Sequence, residues 1–419
     1  MDKIVIEGGA RLSGEVRTGG SKNAILPLMA SSLLVDGCMT ITNVPRLRDI
    51  DTFNALLRHL GADVSADYKA GVLKIKTSAI NGTEAPYNLV KTMRASILVL
   101  GPLVTRFKKA RVSLPGGCAI GARPVDLHLK GLIKMGASVS VEHGYVNVTA
   151  ERLKGANIYL DIPSVTGTEN LMLAAVYADG KTVIENAALE PEVTCLAEAL
   201  VKMGALIRGI GTDTLTIEGV SELKPIEIKA IPDRIEAGTF MAAVAMTRGN
   251  VLIKDCPLEH LDALSSKLRE AGAEIRSEDG GVRVIGNWPI DSVDIKTAAY
   301  PGFPTDMQAQ IMAMMTIAKG LSVVKETVFE NRFMHVSELK RMGADISIDG
   351  RTAVVRGVKG LSGAPLMATD LRASASLILA GMVAEGKTEV SRIYHLDRGY
   401  ERIEEKLKKL GANIERIKE

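Results

Sequence analysis

The chain has 419 residues, 52 Lys and Arg against 49 Asp and Glu, and a formal net charge of +3. That balance offers no basic stripe of the kind a nucleic-acid-binding chain displays, and no apolar run reaches the roughly 18–20 residues of a membrane span. Hydrophobic residues make up 46% and aromatics only 4%, so the cores must come from Val, Ile, Leu, Ala and Met, in two or three domains of roughly 100–200 residues.

In chain order, the opening MDKIVIEGG is too polar for a signal peptide and predicts a strand over residues 3–7. A segment apolar nearly all round then starts near Asn23 and runs over 24–34, the pattern of a buried helix. Five more such segments start near Arg94, Glu169, Glu236, Asp306 and Arg372. Between them a Gly-Ala pair closes an amphipathic helix six times, at Gly61-Ala62, Gly136-Ala137, Gly204-Ala205, Gly272-Ala273, Gly343-Ala344 and Gly411-Ala412. Successive glycines are 75, 68, 68, 71 and 68 residues apart. Glycine just past a helix tolerates the left-handed conformation that stops it, and β-type residues follow each pair. Strand-like runs, such as 215–218 and 226–231, precede the buried helices. One unit therefore reads strand, turn, strand, buried helix, strand, loop, amphipathic helix, strand. Six units of about 70 residues fill the chain.

After Gly411 there is room for one strand only, whereas residues 3–7 form a spare strand. Residues 1–21 are therefore expected to return and complete the last unit. The expected fold is α/β, in two lobes of three units each: 22–230, and 231–419 together with 1–21. Two crossings near residues 21 and 230 would then form a hinge.

Chemistry is expected where polar groups break the apolar repeat. The buried helices start at Ser21-Lys22-Asn23, Arg94, Thr168-Glu169-Asn170, Asp233-Arg234-Ile235-Glu236, Thr305-Asp306 and Asp370-Leu371-Arg372. A helix start presents free N–H groups and a positive dipole end, which suits an anion. The acids there suit plain N-capping equally well. Lys22, Arg94 and Arg372 are disfavoured by the dipole, so they point to a bound anion such as phosphate. Asp306 ends the turn YPGFPTD and is either a cap or a delivered carboxylate. Arg398, in HLDRGY, is either a surface salt bridge or part of a site.

Of Cys38, Cys118, Cys195 and Cys256, only Cys118 lies in a Pro- and Gly-rich loop, LPGGCAIGARPVDL. Such a loop is expected to be exposed, which suits a reactive thiol or an inert surface one. It lacks the Walker spacing of a phosphate cradle. The cysteines form no C-x-x-C pair and the histidines show no metal spacing, so no metal site or disulfide framework is expected. Free thiols fit a reducing cytoplasm.

These segments resemble the UDP-N-acetylglucosamine 1-carboxyvinyltransferases of the EPSP synthase/enolpyruvyl transferase family. The likeness runs end to end and is carried by GSKNA (20–24), LPGGCAIGARPVDL (114–127), DRIEAG (233–238), PGFPTDMQAQ (301–310), DLRA (370–373) and HLDRGYE (395–401). It implies a two-lobed inside-out α/β barrel with buried helices and outer sheets. It also implies transfer of the enolpyruvyl group of phosphoenolpyruvate to the 3′-hydroxyl of UDP-N-acetylglucosamine, with release of phosphate. That is the first committed step of peptidoglycan synthesis, serving cell shape and division in the cytoplasm.

By the same resemblance, Lys22, Arg123 and Arg398 hold the phosphate of phosphoenolpyruvate, and Arg372 and Arg398 its carboxylate. Asn23 contacts the sugar and lies at the phosphoenolpyruvate site. Asp306 contacts the sugar and acts as the base. Arg94, Arg123, Pro124, Val125, Asp126, Leu127, Ser164, Val165 and Val328 match positions that bind the UDP-sugar. Asp370 helps move a proton at the methylene carbon. Cys118 resembles the family's general acid, able to form a covalent phosphoenolpyruvate adduct and to be blocked by fosfomycin. A thiol with pKa ~8.5 is mostly protonated at neutral pH, while nearby Arg123 and Lys22 would favour thiolate. The likeness implies no cofactor, metal, nucleic acid or membrane. The competing readings are a 3-phosphoshikimate 1-carboxyvinyltransferase, a non-catalytic UDP-sugar-binding paralogue and a repeat-built interaction scaffold.

Overall fold

The computed structural model describes residues 2–114 and 125–418. They form two compact units, one of residues 20–114 with 125–231, the other of residues 2–19 with 232–418. Each unit has its own apolar core, dominated by Ala, Ile, Leu, Met and Val.

The described strands form six four-stranded sheets with one repeated order. In one of them Asn157–Tyr159 runs parallel to Lys181–Glu185, which pairs antiparallel with Thr214–Glu218, and that strand with Leu206–Arg208. A parallel pair needs a crossover connection, and the buried helix Val165–Ala175 supplies it. In many of the strands burial alternates, as in Thr214–Glu218, where Leu215 and Ile217 are buried. One face of each sheet therefore meets the core and the other remains polar.

The swap of strands is more elaborate than the sequence suggested. Asp2–Glu7 does complete the last sheet, antiparallel to both Lys387–Ser391 and Asn413–Lys418. Ser13–Arg17 does not join it; it lies parallel to Asn250–Lys254, in the sheet of the fourth unit. The physical reason is a vacancy there. The strand that precedes the fourth buried helix, Glu227–Lys229, pairs instead with Cys38–Thr42 in the sheet of the first unit.

The six buried helical segments are Lys22–Ser31, Leu100–Phe107, Val165–Ala175, Arg234–Met246, Gln308–Met315 and Leu371–Val383. The second and fifth are preceded by 3-10 turns, Arg94–Val99 and Thr305–Met307. The third starts earlier than expected. Ser164 is its N-cap, with its side chain accepting from the Gly167 N–H, so Thr168, Glu169 and Asn170 lie inside the helix rather than at its start. The weak helix formers Val165, Thr166 and Gly167 hid that first turn. The six glycines of the Gly-Ala pairs all have positive φ, between 87° and 114°, the left-handed helix stop that only glycine adopts without strain.

Candidate active site

In the unit of residues 20–231, Lys22 opens the first buried helix. Its Nζ donates to Asp49 Oδ2 at 3.0 Å, and both side chains are buried. Asp49 sits in the first turn of Arg48–His59, where the dipole favours a carboxylate. The sequence reading missed Asp49, which looked like an ordinary first-turn acid. Asn23 follows and is half-buried.

Arg94 opens the 3-10 turn before the second helix. Near it lies a buried histidine that no motif or spacing singles out. His128 Nδ1 accepts from Asn170 Nδ2 at 2.8 Å, and its Nε2 lies 3.4 Å from Thr166 Oγ1. Burial, and secondarily the Arg94 charge, push its pKa down to about 3. A neutral imidazole thus ties the helix Asp126–Lys134 to Val165–Ala175. Asn170 Oδ1 also accepts from the Gly101 N–H at 2.7 Å. A Cβ on Gly101 would come within 2.4 Å of the Asn170 carbonyl oxygen, so glycine is required for this approach.

Val125 is the N-cap of Asp126–Lys134; Asp126 is exposed and Leu127 half-buried. Ser164 and Val165 form the start of the third helix. Thr168 and Glu169 are internal: Thr168 Oγ1 accepts from the Ala188 N–H at 3.0 Å, and Glu169 is 1% exposed. Burial, with Glu192 and Glu190 nearby, holds the Glu169 carboxyl well above the usual range, which favours its neutral form. Cys118, Arg123 and Pro124 lie outside the described residues.

The other unit holds a tighter constellation. Asp306 lies in the 3-10 turn Thr305–Met307. Its Oδ1 accepts from Arg332 at 2.7 Å, and its Oδ2 accepts from Nε and a terminal nitrogen of Arg372 at 3.1 and 2.9 Å. The simple cap reading of Asp306 fails, since both oxygens face guanidinium groups and no side-chain cap bond forms. Burial alone would raise its pKa; Arg372 and then Arg332 outweigh burial and hold the carboxyl well below the usual range. Conversely, burial works against the Arg372 charge, but Asp306 more than offsets it and raises its pKa. Arg332 escaped the sequence reading because it stands in a polar stretch, Glu330-Asn331-Arg332, away from the starts of the buried helices.

Asp370 caps the last buried helix, with Oδ1 accepting from the N–H groups of Arg372 and Ala373 at 2.9 and 3.0 Å. The cap bonds leave its other oxygen beside Thr369 Oγ1, at 3.5 Å. The Arg372 guanidinium lies 5.4 Å from the ring centroid of Tyr400. Tyr400 is 1% exposed and its hydroxyl meets Thr239 Oγ1 at 2.8 Å and Gln310 Nε2 at 3.3 Å. Arg398 ends the 3-10 turn Ile393–Arg398 and is half-buried. Its neighbour Asp397 is engaged by Arg416 at 2.6 and 3.1 Å. Val328 is 39% exposed, with its N–H bonded to Glu326 at 2.8 Å. A groove of about 530 Å³ lined by Lys267, Lys296, Phe303 and Lys325 contains none of the candidate residues.

Residues 6–407 match the family described as EPSP synthase (3-phosphoshikimate 1-carboxyvinyltransferase). The chain is 62% identical to the UDP-N-acetylglucosamine 1-carboxyvinyltransferase of Desulfatibacillum aliphaticivorans, with 100% of both chains covered. It is 59% identical to the protein of the same name from Myxococcus xanthus, again over 100% of both. The chain belongs to the UDP-N-acetylglucosamine 1-carboxyvinyltransferases of the EPSP synthase family. Its structure is similar to the enolpyruvyl transferase NikO from Streptomyces tendae, with a TM-score of 0.89 and 27% identity over 99% of this chain and 98% of that one. It shares the fold of EPSP synthase from Acinetobacter baumannii, with a TM-score of 0.76 and 18% identity over 100% of both. The members of this family are transferases, and the six-sheet α/β architecture agrees with the fold of these enolpyruvyl transferases. Among the described residues of this member, no helix is long and apolar enough to cross a membrane.

Proposed function

We propose that the chain transfers the enolpyruvyl group of phosphoenolpyruvate to the 3′-hydroxyl of UDP-N-acetylglucosamine and releases phosphate, the first committed step of peptidoglycan synthesis. The observation that carries this reading is the Asp306 carboxylate held between Arg332 and Arg372. In the addition step the 3′-oxygen bonds to C2 of phosphoenolpyruvate and a proton joins C3. In the elimination step a proton leaves C3 and the C2–phosphate bond breaks, which restores the double bond. Cys118 is assigned as the proton donor, with the ability to capture phosphoenolpyruvate covalently, and Asp370 as the group that assists proton movement at C3. Lys22, Arg123 and Arg398 are assigned to the phosphate, and Arg372 and Arg398 to the carboxylate, for which a guanidinium fork is suited. Asn23, Arg94, Pro124, Val125, Asp126, Leu127, Ser164, Val165 and Val328 are assigned to the UDP-sugar, with Asn23 also next to phosphoenolpyruvate.

A carboxylate gripped by two arginines is a weak base. Phosphoenolpyruvate resolves this tension in the proposed scheme. Its carboxylate competes for Arg372, and each fork that leaves Asp306 raises the basicity of that carboxylate. The base is then strongest when the acceptor hydroxyl is to be deprotonated.

The reading is tested by assaying phosphate release with phosphoenolpyruvate and either UDP-N-acetylglucosamine or shikimate 3-phosphate. Release is expected with the UDP-sugar alone; release with shikimate 3-phosphate alone would reverse the assignment. Fosfomycin is expected to label Cys118. Burial pushes the thiols of Cys195 and Cys256 up to about 11 and about 12, which disfavours the thiolate needed for alkylation. Label found on Cys38, Cys195 or Cys256 instead would remove Cys118 from the mechanism. The reading also assigns the protein to the cytoplasm, where free thiols persist.

A further inference from the structure

We propose that Glu326 is a positioning residue for the transfer reaction: it locks the turn that carries Asp306 to the loop that carries Val328 and Arg332. The inference rests on the roles proposed above for Asp306 and Val328. Glu326 follows the strand Leu321–Lys325 and is 1% exposed. Its Oε1 accepts from Thr297 Oγ1 at 2.8 Å, from the Val328 N–H at 2.8 Å and from the Phe329 N–H at 3.1 Å. Its Oε2 accepts from Thr305 Oγ1 at 2.8 Å. All four partners donate, which is what an acceptor-only carboxylate requires.

These partners lie on three segments. Thr297 follows Ile295–Lys296, the strand parallel to Leu321–Lys325, and its hydroxyl accepts from the Thr327 N–H at 2.9 Å. Thr305 opens the 3-10 turn whose next residue is Asp306. Phe329 leads to Arg332, whose guanidinium lies 5.1 Å from the Phe329 ring centroid and donates to Asp306 at 2.7 Å. The contacts form a closed path from Asp306 through Thr305, Glu326, Phe329 and Arg332 back to Asp306. Glu326 therefore sets both ends of the Arg332–Asp306 pair. A buried carboxylate is costly unless fully bonded, and an apolar residue of similar size often stabilises a core as well. Placement of the reacting groups accounts for a charged residue here, because a displacement of about 1 Å can cost roughly 100-fold in rate.

The experiment compares Glu326→Gln, Thr305→Val and Thr305→Ser with the wild-type enzyme, under conditions where circular dichroism shows each fully folded. In Glu326→Gln one oxygen still serves Thr297, Val328 and Phe329, but an amide N–H₂ now faces the Thr305 hydroxyl and reverses that bond. Thr305→Val removes the hydroxyl, and Thr305→Ser keeps it. The Gln and Val variants are expected to lose about 10-fold in kcat, a fraction of the cost of a 1 Å displacement, while KM for phosphoenolpyruvate stays within about twofold. Thr305→Ser is expected to return kcat to near the wild-type value. Kinetic constants unchanged in the Gln and Val variants would overturn the proposal, even if their melting temperatures fell, and so would a loss that serine fails to restore. Should Glu326→Gln be insoluble, the two Thr305 variants decide alone. A wild-type enzyme that releases no phosphate with UDP-N-acetylglucosamine overturns the parent reading, and this one with it, before any variant is compared.

Discussion

Asp306 illustrates how a site is built from conflicting pressures. Burial favours its neutral form, and the two guanidinium groups favour the charged form and win. The stability this brings is present above the ordinary aspartate value, about 3.9, and is lost as pH falls through the lowered folded value. Replacing Arg332 by Met removes one cation, so the Asp306 pKa should rise toward the usual range. The acid limb of the kcat/KM profile should therefore move to higher pH; an unmoved limb would separate Arg332 from the base. Asp306→Ala leaves Arg332 and Arg372, each 4% exposed, without their counter-charge. Breaking a fully buried pair costs about 3–5 kcal/mol. Because the Asp306 side chain is 28% exposed, a loss of about 2–3 kcal/mol is expected in chemical denaturation, partly restored by added phosphate. Lys22, Arg94 and Arg372 were legible in the sequence because a cation at a helix start is unusual. Asp49, His128, Glu326 and Arg332 were not, since each owes its role to partners distant in the chain: 27 residues between Lys22 and Asp49, 26 between Asp306 and Arg332.

At the scale of elements, the Gly-Ala repeat was legible because one backbone requirement recurs. A Cβ at Gly343 would meet no atom within 4 Å, yet its φ is +92°. Gly343→Ala is therefore a nearly pure test of the left-handed stop. It should lower unfolding free energy by about 1–2 kcal/mol and leave kcat unchanged; a neutral effect would mean that the helix ends for another reason. Boundaries were less legible than elements. The start of Val165–Ala175 was displaced because its cap, Ser164, precedes residues of poor helix propensity. The openings of the second and fifth helices as 3-10 turns were hidden for a different reason: an apolar run looks alike in either helix type.

For the molecule as a whole, the decisive feature is that strands from one part of the chain complete sheets built by another. Asp2–Glu7 is an interior strand between Lys387–Ser391 and Asn413–Lys418, and Ile6 is fully buried. Ile6→Ala should cost about 2–4 kcal/mol. Hydrogen exchange should show the lost protection in those two C-terminal strands and not in residues 20–231; uniform loss across the chain would contradict two separate cores. The sequence by itself determined the six-fold repeat, the α/β class and the motifs of the family, because periodicity, helix stops and misplaced cations are local properties. Tertiary structure alone decided that Ser13–Arg17 and Glu227–Lys229 exchange sheets, that Arg332 joins Arg372 on Asp306, and that Glu326 holds the surrounding loops. Strand pairing and ion pairing between distant residues depend on which vacancies the folded chain leaves, and no local pattern encodes them.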